Sequence, residues 1–199
     1  MRISIRHGAI AAAVVTTFAP SLAHAQARGP QAPAMVLTTP AWADGQQIPV
    51  RYTQAGEQVS PELKWTNAPA GTQSFVVNML DPDVALLKSP EAMVHWVVWN
   101  IPGTETGLPE GVKPGDLPNG AHQISTSGPN YRGPGAAASG PLHHYTFEVY
   151  ALDTKIDVAP STATPAMNAA IETRTAVMNA MKGHVIGKAV YVGLFKRPQ

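Results

Sequence analysis

The run Gln73-Ser74-Phe75-Val76-Val77-Asn78-Met79-Leu80-Asp81-Pro82-Asp83 decides how this chain is read. Its middle is apolar on consecutive positions, as in a strand buried on both faces. It ends on two acids around a proline, and the residue before a proline is biased toward extended backbone. About ten residues later Met93-Val94-His95-Trp96 opens a second apolar strand, which runs to Ile101 and stops at Pro102-Gly103. A third polar-to-apolar boundary, His143-His144-Tyr145, opens a strand that continues to Leu152. Two acids, histidines and a phenol thus gather at strand ends, where side chains face a sheet rim rather than a core. Their convergence on one small site is the expectation that the remainder of the chain must support.

Working outward, the N-terminus reads as an export signal. Arg2, Arg6 and His7 precede an apolar run from Gly8 to Ala19, Pro20 breaks it, and Ala23-His24-Ala25 offers a small-x-small cleavage site. The run is shorter than the roughly 20 apolar residues of a membrane-spanning helix. The expected layout is a signal peptide over 1–25, a flexible leader over 26–34 and one domain over 35–199, in a periplasmic or secreted protein without a stable membrane anchor. Without Arg2 and Arg6, 12 basic residues stand against 13 acidic ones, so the exported chain carries a net charge of −1. That balance gives no field to attract nucleic acid, and an anionic ligand has to be held by local geometry. The chain has no cysteine, so neither a lipobox nor disulfides are available, and stability has to come from burial and hydrogen bonding.

Most of the chain carries β signals. Ile48, Val50 and Tyr52 alternate with polar neighbours, and Leu63 and Trp65 form a second short alternation. Gly56 to Pro61 and Pro69-Ala70-Gly71 read as turns. Five glycines and three prolines between Thr104 and Gly128 make regular structure sparse there. Ala189 to Phe195 is a fourth strong strand. One helix is expected, with Pro165 in its first turn, Ile171, Arg174, Val177, Met178 and Met181 at helical spacing, and Gly183 at its C′ position. The pattern leaves room for a break near Glu172-Thr173. Strands at short intervals with one late helix indicate a mainly β sandwich or barrel with helical cover.

Asp81 is the stronger site candidate of the two acids, because the strand before it fixes its position. Asp83 is equally consistent with capping backbone N–H groups in the turn. A hairpin-like connection would set Asp81 beside His95, which would fix the imidazole tautomer or raise its pKa. His143 and His144 must point to opposite faces, so His143 shares a face with Tyr145 and His144 lies with Thr146, Glu148 and Tyr150. Gly133-Pro134-Gly135 can bring backbone N–H groups close to an anion, but it lacks the lysine and Ser/Thr of a nucleotide-binding loop. A hydrolase using Ser125, Ser127 or Ser139 is a weaker reading, because no Gly-x-Ser-x-Gly elbow is present. A metal site from Asp81, His95 and His143 is another, since the close ligand spacings of zinc motifs are absent.

Asp81-Pro82-Asp83, His95 and the Gly-Pro loop leading to His143-x-Tyr145 occur in an order that resembles the phosphatidylethanolamine-binding protein family. The similarity is strongest to its bacterial, Raf kinase inhibitor-like branch. Ile48-Pro49-Val50-Arg51-Tyr52, Ser60-Pro61-x-Leu63-x-Trp65, Val98-x-Asn100-Ile101-Pro102, Met181-x-Gly183-His184-Val185-Ile186-Gly187 and Val192-Gly193-x-Phe195 extend it over nearly all of the exported chain. The resemblance implies a β-sandwich-like fold of antiparallel sheets with peripheral helices. It also implies a rim pocket for phosphate or a phosphorylated head group, lined by Asp81, Asp83, His95, His143 and Tyr145, with backbone contacts from Gly133 and Gly135. It implies a non-catalytic binding protein with no cofactor, and it permits a protein partner that the chain inhibits. Met93 stands where the family usually has a tryptophan, Ala136-Ala137 replace a Pro-Pro pair, and His144 replaces an arginine. These departures are expected to alter the rim and the ligand preference while keeping the polar floor.

Overall fold

The computed structural model describes residues 33–84 and 90–199. The expected signal peptide and the leader as far as Ala32 lie outside the described residues. Among the described residues nine strands form two sheets: β1 (Val36–Thr38), β2 (Gln46–Gln47), β3 (Leu63–Thr66), β4 (Ser74–Asp81), β5 (Met93–Pro102), β6 (Gly107–Leu108), β7 (His122–Ile124), β8 (His143–Leu152) and β9 (Val185–Phe195). The small sheet has the order β1-β3-β6 and the large one β2-β9-β8-β4-β5-β7. The helix α1 (Ala166–Ala180) precedes β9. The mainly β sandwich is as expected. One pairing departs from an all-antiparallel plan, because β2 runs parallel to β9.

The apolar runs of β4 and β5 occupy the middle of the large sheet, and that explains their continuous burial. One face packs Phe75, Val77, Met79, Trp96, Val98, Tyr145, Phe147 and Val149 against Leu37, Leu63, Trp65 and Leu108 of the small sheet. The rings of Trp65 and Phe75 meet across this layer at 5.0 Å. The other face packs Val76, Val94, Val97, Trp99 and Leu152 against Ala169, Ala170 and Val177 of α1 and Met181 just past its end. With no disulfide, these two layers hold the sheets and helix together, each fully buried large side chain being worth about 1.5–3 kcal/mol.

Several local expectations change. Ile48, Val50 and Tyr52 alternate but do not form a strand: Val50–Tyr52 is a turn of 3-10 helix closed by Tyr52 N–H to the Pro49 carbonyl and Thr53 N–H to the Val50 carbonyl. Ile48 alone of the three is buried, and Val50 is exposed. The 3-10 turn takes its buttress from the loop after β7, where the Tyr131 hydroxyl donates to the Tyr52 carbonyl at 2.8 Å. Helix α1 is unbroken at Glu172-Thr173; Pro165 is its N-cap, and Met181 is its C-cap, so Gly183 (φ 84°) falls one residue beyond C′. Its buried stripe is Ala169, Ala170, Thr173 and Val177, with Ile171 half-buried beside it. Small residues on that stripe let the helix lie close on the sheet. β7 emerges from the glycine-rich stretch because it pairs with β5 through Val97, Val98 and Trp99.

Candidate functional site

Side chains alternate along β4 and β8, and the alternation carries one face of each strand off the end of the core. On β4 the series Phe75, Val77, Met79 ends at Asp81; on β8 the series Val149, Phe147, Tyr145 ends at His143. Asp81 and His143 therefore meet at the rim, with His143 Nδ1 2.8 Å from Asp81 Oδ2. Asp81 is only 2% exposed. Its other oxygen, Oδ1, accepts the Asp83 N–H at 3.0 Å, which ties the carboxylate to the turn that follows. A carboxylate on Nδ1 leaves the Nδ1–H in place and fixes the orientation of the ring. Asp81 thus orients a histidine, but His143 rather than His95.

His95 reaches the same face by a different route. Leu80 pairs with Val94 and Met79 with Trp96, so His95 is an extra residue on β5 with no partner of its own on β4. Such a bulge redirects one side chain relative to strict alternation. Val94, Val97 and Trp99 face the helix, Trp96 and Val98 face the small sheet, and the slip places His95 against Tyr145, rings edge to face at 5.1 Å. His95 is 1% exposed. Its Nδ1 donates to the Arg132 carbonyl at 2.9 Å, while the Arg132 N–H donates to the His95 carbonyl at 3.1 Å. Burial holds this imidazole below its ordinary pKa, outweighing the raising effects of the Arg132 carbonyl and the Asp81 charge. His95 is thereby favoured as a neutral imidazole, and its buried Nε2 has no hydrogen-bond partner among the described residues.

Tyr145 closes the site from beneath. Its hydroxyl oxygen accepts the N–H groups of Gly135 (3.2 Å) and Ala136 (3.1 Å). Burial, with the neighbouring Asp81 charge added, pushes the phenol far above its ordinary pKa. The hydroxyl keeps its proton, and its oxygen positions the loop.

Together these groups bound a cavity of about 250 Å³ lined by Gln54, Asp81, Val84, Met93, His95, Arg132, Gly135, Ala136, Ala137, His143 and Tyr145. Of the residues singled out from sequence, Asp81, His95, Gly135, His143 and Tyr145 line it. Asp83 and Gly133 do not. Asp83 accepts both the backbone N–H (2.6 Å) and Nδ1 (3.0 Å) of His144 on the exposed side of β8. Burial works against that carboxylate, yet the two bonds to His144 hold it below the usual carboxylate range. Gly133 is packed against the 3-10 turn, where a Cβ would fall 2.5 Å from the Tyr52 carbonyl oxygen, and its own carbonyl accepts Gln54 Nε2 at 2.8 Å. Gly135 lines the cavity, but its N–H is engaged by Tyr145. The two glycines therefore shape the wall rather than offer free donors.

Sequence reasoning missed Gln54 and Arg132. Gln54 sits just past a segment read as strand, so nothing pointed it toward the site. Arg132 carried a signal: it is the one charged residue between Gly128 and Leu142. Ser125 and Ser127 bond to each other at 3.0 Å within their own turn, and neither they nor Ser139 line the cavity. Among the described residues no three His, Cys, Asp or Glu side chains are grouped to hold a metal ion.

The ordered rim set of Asp81, His143, Tyr145 and the bulged His95 can be set beside known proteins. The profile of the phosphatidylethanolamine-binding protein family matches residues 38–196. The chain belongs to that family. A UPF0098 protein of Methanothermobacter thermautotrophicus is 40% identical over 166 residues, covering 82% of this chain and 99% of the relative. The UPF0098 protein YbhB of Escherichia coli is 39% identical over 124 residues, covering 58% and 77%. Two solved phosphatidylethanolamine-binding protein homologs share the fold at a TM-score of 0.67. Chlamydia trachomatis CT736 is 27% identical over 83% of this chain and 99% of its own, and E. coli YbcL 26% identical over 83% and 100%.

Proposed function

We propose that this phosphatidylethanolamine-binding family member is a non-catalytic binding protein for a small phosphorylated anion, phosphate itself or a phosphorylated head group. The observation that carries the reading is the pairing, in one small cavity, of donors with a buried acceptor. His143 is oriented by Asp81, Tyr145 retains its proton, and His95 presents an unpartnered Nε2. A phosphate group supplies oxygens for the first two and, in its protonated form, an O–H for the third. Groups of this kind bind more strongly where water is excluded. A cavity of about 250 Å³ is smaller than the roughly 300–1,000 Å³ that drug-sized ligands occupy, which favours a head group over a larger metabolite. A binding role is favoured over hydrolysis because none of Ser125, Ser127 and Ser139 lines the cavity and no described serine does. The family's description points the same way. The N-terminal residues argue for export to the periplasm, and mass spectrometry of the secreted chain tests this by a new N-terminus at Gln26.

Calorimetric titration with inorganic phosphate and O-phosphoethanolamine, alongside acetate as a control anion, tests the ligand class. Saturable heat with the two phosphates that disappears in His143→Ala is expected. Equal heat with acetate, or none with any of the three, removes the reading.

A further inference from the structure

The charge arrangement in the cavity makes a narrower statement about its ligand. Among the described lining residues Asp81 is the one acid, and Arg132 is the one with a permanent positive charge. His95 and Tyr145 are neutral. Among the described residues Arg132 forms no ion pair, and its buried Nε has no hydrogen-bond partner. Arg51 pairs with Glu57 and Glu110, and Arg174 bonds to Asn78 and pairs with Glu91, whereas Arg197 has no ion pair among the described residues but is exposed to solvent. A buried donor on a guanidinium is almost always matched by an acceptor. The backbone of Arg132 is already committed to His95 in both directions, so the side chain is the part left for a ligand.

We infer that Arg132 sets the specificity of this site, selecting a terminal phosphate (a phosphomonoester or inorganic phosphate) over a phosphodiester such as an intact phospholipid carries. The inference rests on the anion-binding reading above. The Asp81 charge opposes every anion that enters, and without Arg132 the described lining residues carry a net negative charge whenever His143 is neutral. A phosphodiester brings one negative charge and no proton, so it can engage the guanidinium but has nothing to donate to His95 Nε2. A monoester brings up to two charges near neutral pH and an ionisable O–H in the same range. Its monoanion can meet the guanidinium with one oxygen and donate its O–H to His95 Nε2, while its dianion offers the guanidinium a second charge in place of that proton. The guanidinium fork suits phosphate oxygens better than a lysine ammonium does.

Three probes, inorganic phosphate, O-phosphoethanolamine and glycerophosphoethanolamine, are titrated into the wild-type chain, Arg132→Gln and Arg132→Lys. Wild type is expected to bind the first two at least roughly tenfold more tightly than the diester, a difference of the size of one charge-assisted hydrogen bond. Arg132→Gln weakens them by about ten- to a hundredfold and the diester by much less, and Arg132→Lys restores part of the loss. Because only the side chain changes, the His95 clamp persists, and loss of fold alone would weaken all three probes together. Should Arg132→Gln not fold, the salt dependence of wild-type binding decides, being steeper for the monoester than for the diester. Equal affinity of wild type for monoester and diester overturns the inference and leaves the anion site standing, as does an unchanged preference in Arg132→Gln. No binding of any probe by wild type overturns both.

Discussion

The two walls of the cavity are built on different principles. The β4–β8 wall, with Asp81, His143 and Tyr145, continues the period-two alternation of core strands past the end of the core. The wall opposite, with His95, Arg132 and the Gly135–Ala137 loop, depends on a bulge and on a loop locked by backbone contacts. The first wall is anchored wherever the sheet forms. The second exists only while several specific hydrogen bonds are made, so it can be altered between relatives without disturbing the sandwich. Met93, Ala136 and Ala137 all line the cavity on that second side or at its rim.

The difference can be broken from the loop side first. Gly133→Ala sets a Cβ against the Tyr52 carbonyl oxygen and 2.8 Å from Thr53 Cα, neither of which can swing aside. A loss of about 3 kcal/mol is expected in denaturant unfolding. Gly135→Ala meets only the side chain of Gln54, whose Cδ would lie 2.6 Å away and can rotate off the Gly133 carbonyl. That change should cost about 1 kcal/mol. If the two variants are equally stable, the packing of Gly133 on the 3-10 turn is not what fixes the loop.

The link between the walls is the Tyr145 hydroxyl. Tyr145→Phe leaves the Gly135 and Ala136 N–H groups without their acceptor and is expected to destabilise by about 2 kcal/mol. Faster amide exchange should be confined to those two positions and their neighbours. Exchange that is faster along all of β8 would place the effect in the first wall.

His95 gives the second wall a pH dependence. Its folded-state pKa lies below the ordinary 6.5 because burial disfavours the charged ring. The folded protein binds this proton less readily than the unfolded chain, so the contribution is complete above about pH 6.5 and is lost as pH falls below it. Urea midpoints between pH 7.5 and 5 should drop more in wild type than in His95→Gln. Parallel pH profiles would contradict the neutral, buried imidazole. The smallest effect belongs to the outer face of the first wall. His144→Ala removes one exposed contact to Asp83 and keeps the backbone N–H bond, so stability should change by no more than about 0.5 kcal/mol. Thermal melts test it.

The same contrast explains what could be read from sequence. Asp81, His143 and Tyr145 follow from alternation, which depends only on neighbours in the chain. A regular hairpin would set His95 beside Asp81, but the extra residue in β5 sends it to the Arg132 carbonyl and leaves Asp81 for His143. A bulge is a property of two paired strands, so one strand's pattern does not reveal it. Ile48, Val50 and Tyr52 failed for a related reason: their alternation is that of a strand, but Tyr131 and the loop carrying Gly133 draw the backbone into a 3-10 turn. Helix α1 was legible as an element but not as a face. Its buried stripe follows small residues rather than the larger apolar ones.

The most direct test observes both histidines at once. Imidazole nitrogens are followed by ¹⁵N NMR while O-phosphoethanolamine is added to the wild-type chain. The account predicts that in the free protein His95 has a protonated Nδ1 and a bare Nε2, and that ligand moves His95 Nε2 toward the hydrogen-bonded or protonated range together with a shift at His143 Nε2. Histidines 122, 144 and 184 should stay still. A saturating ligand that leaves His95 and His143 unmoved would contradict the central claim.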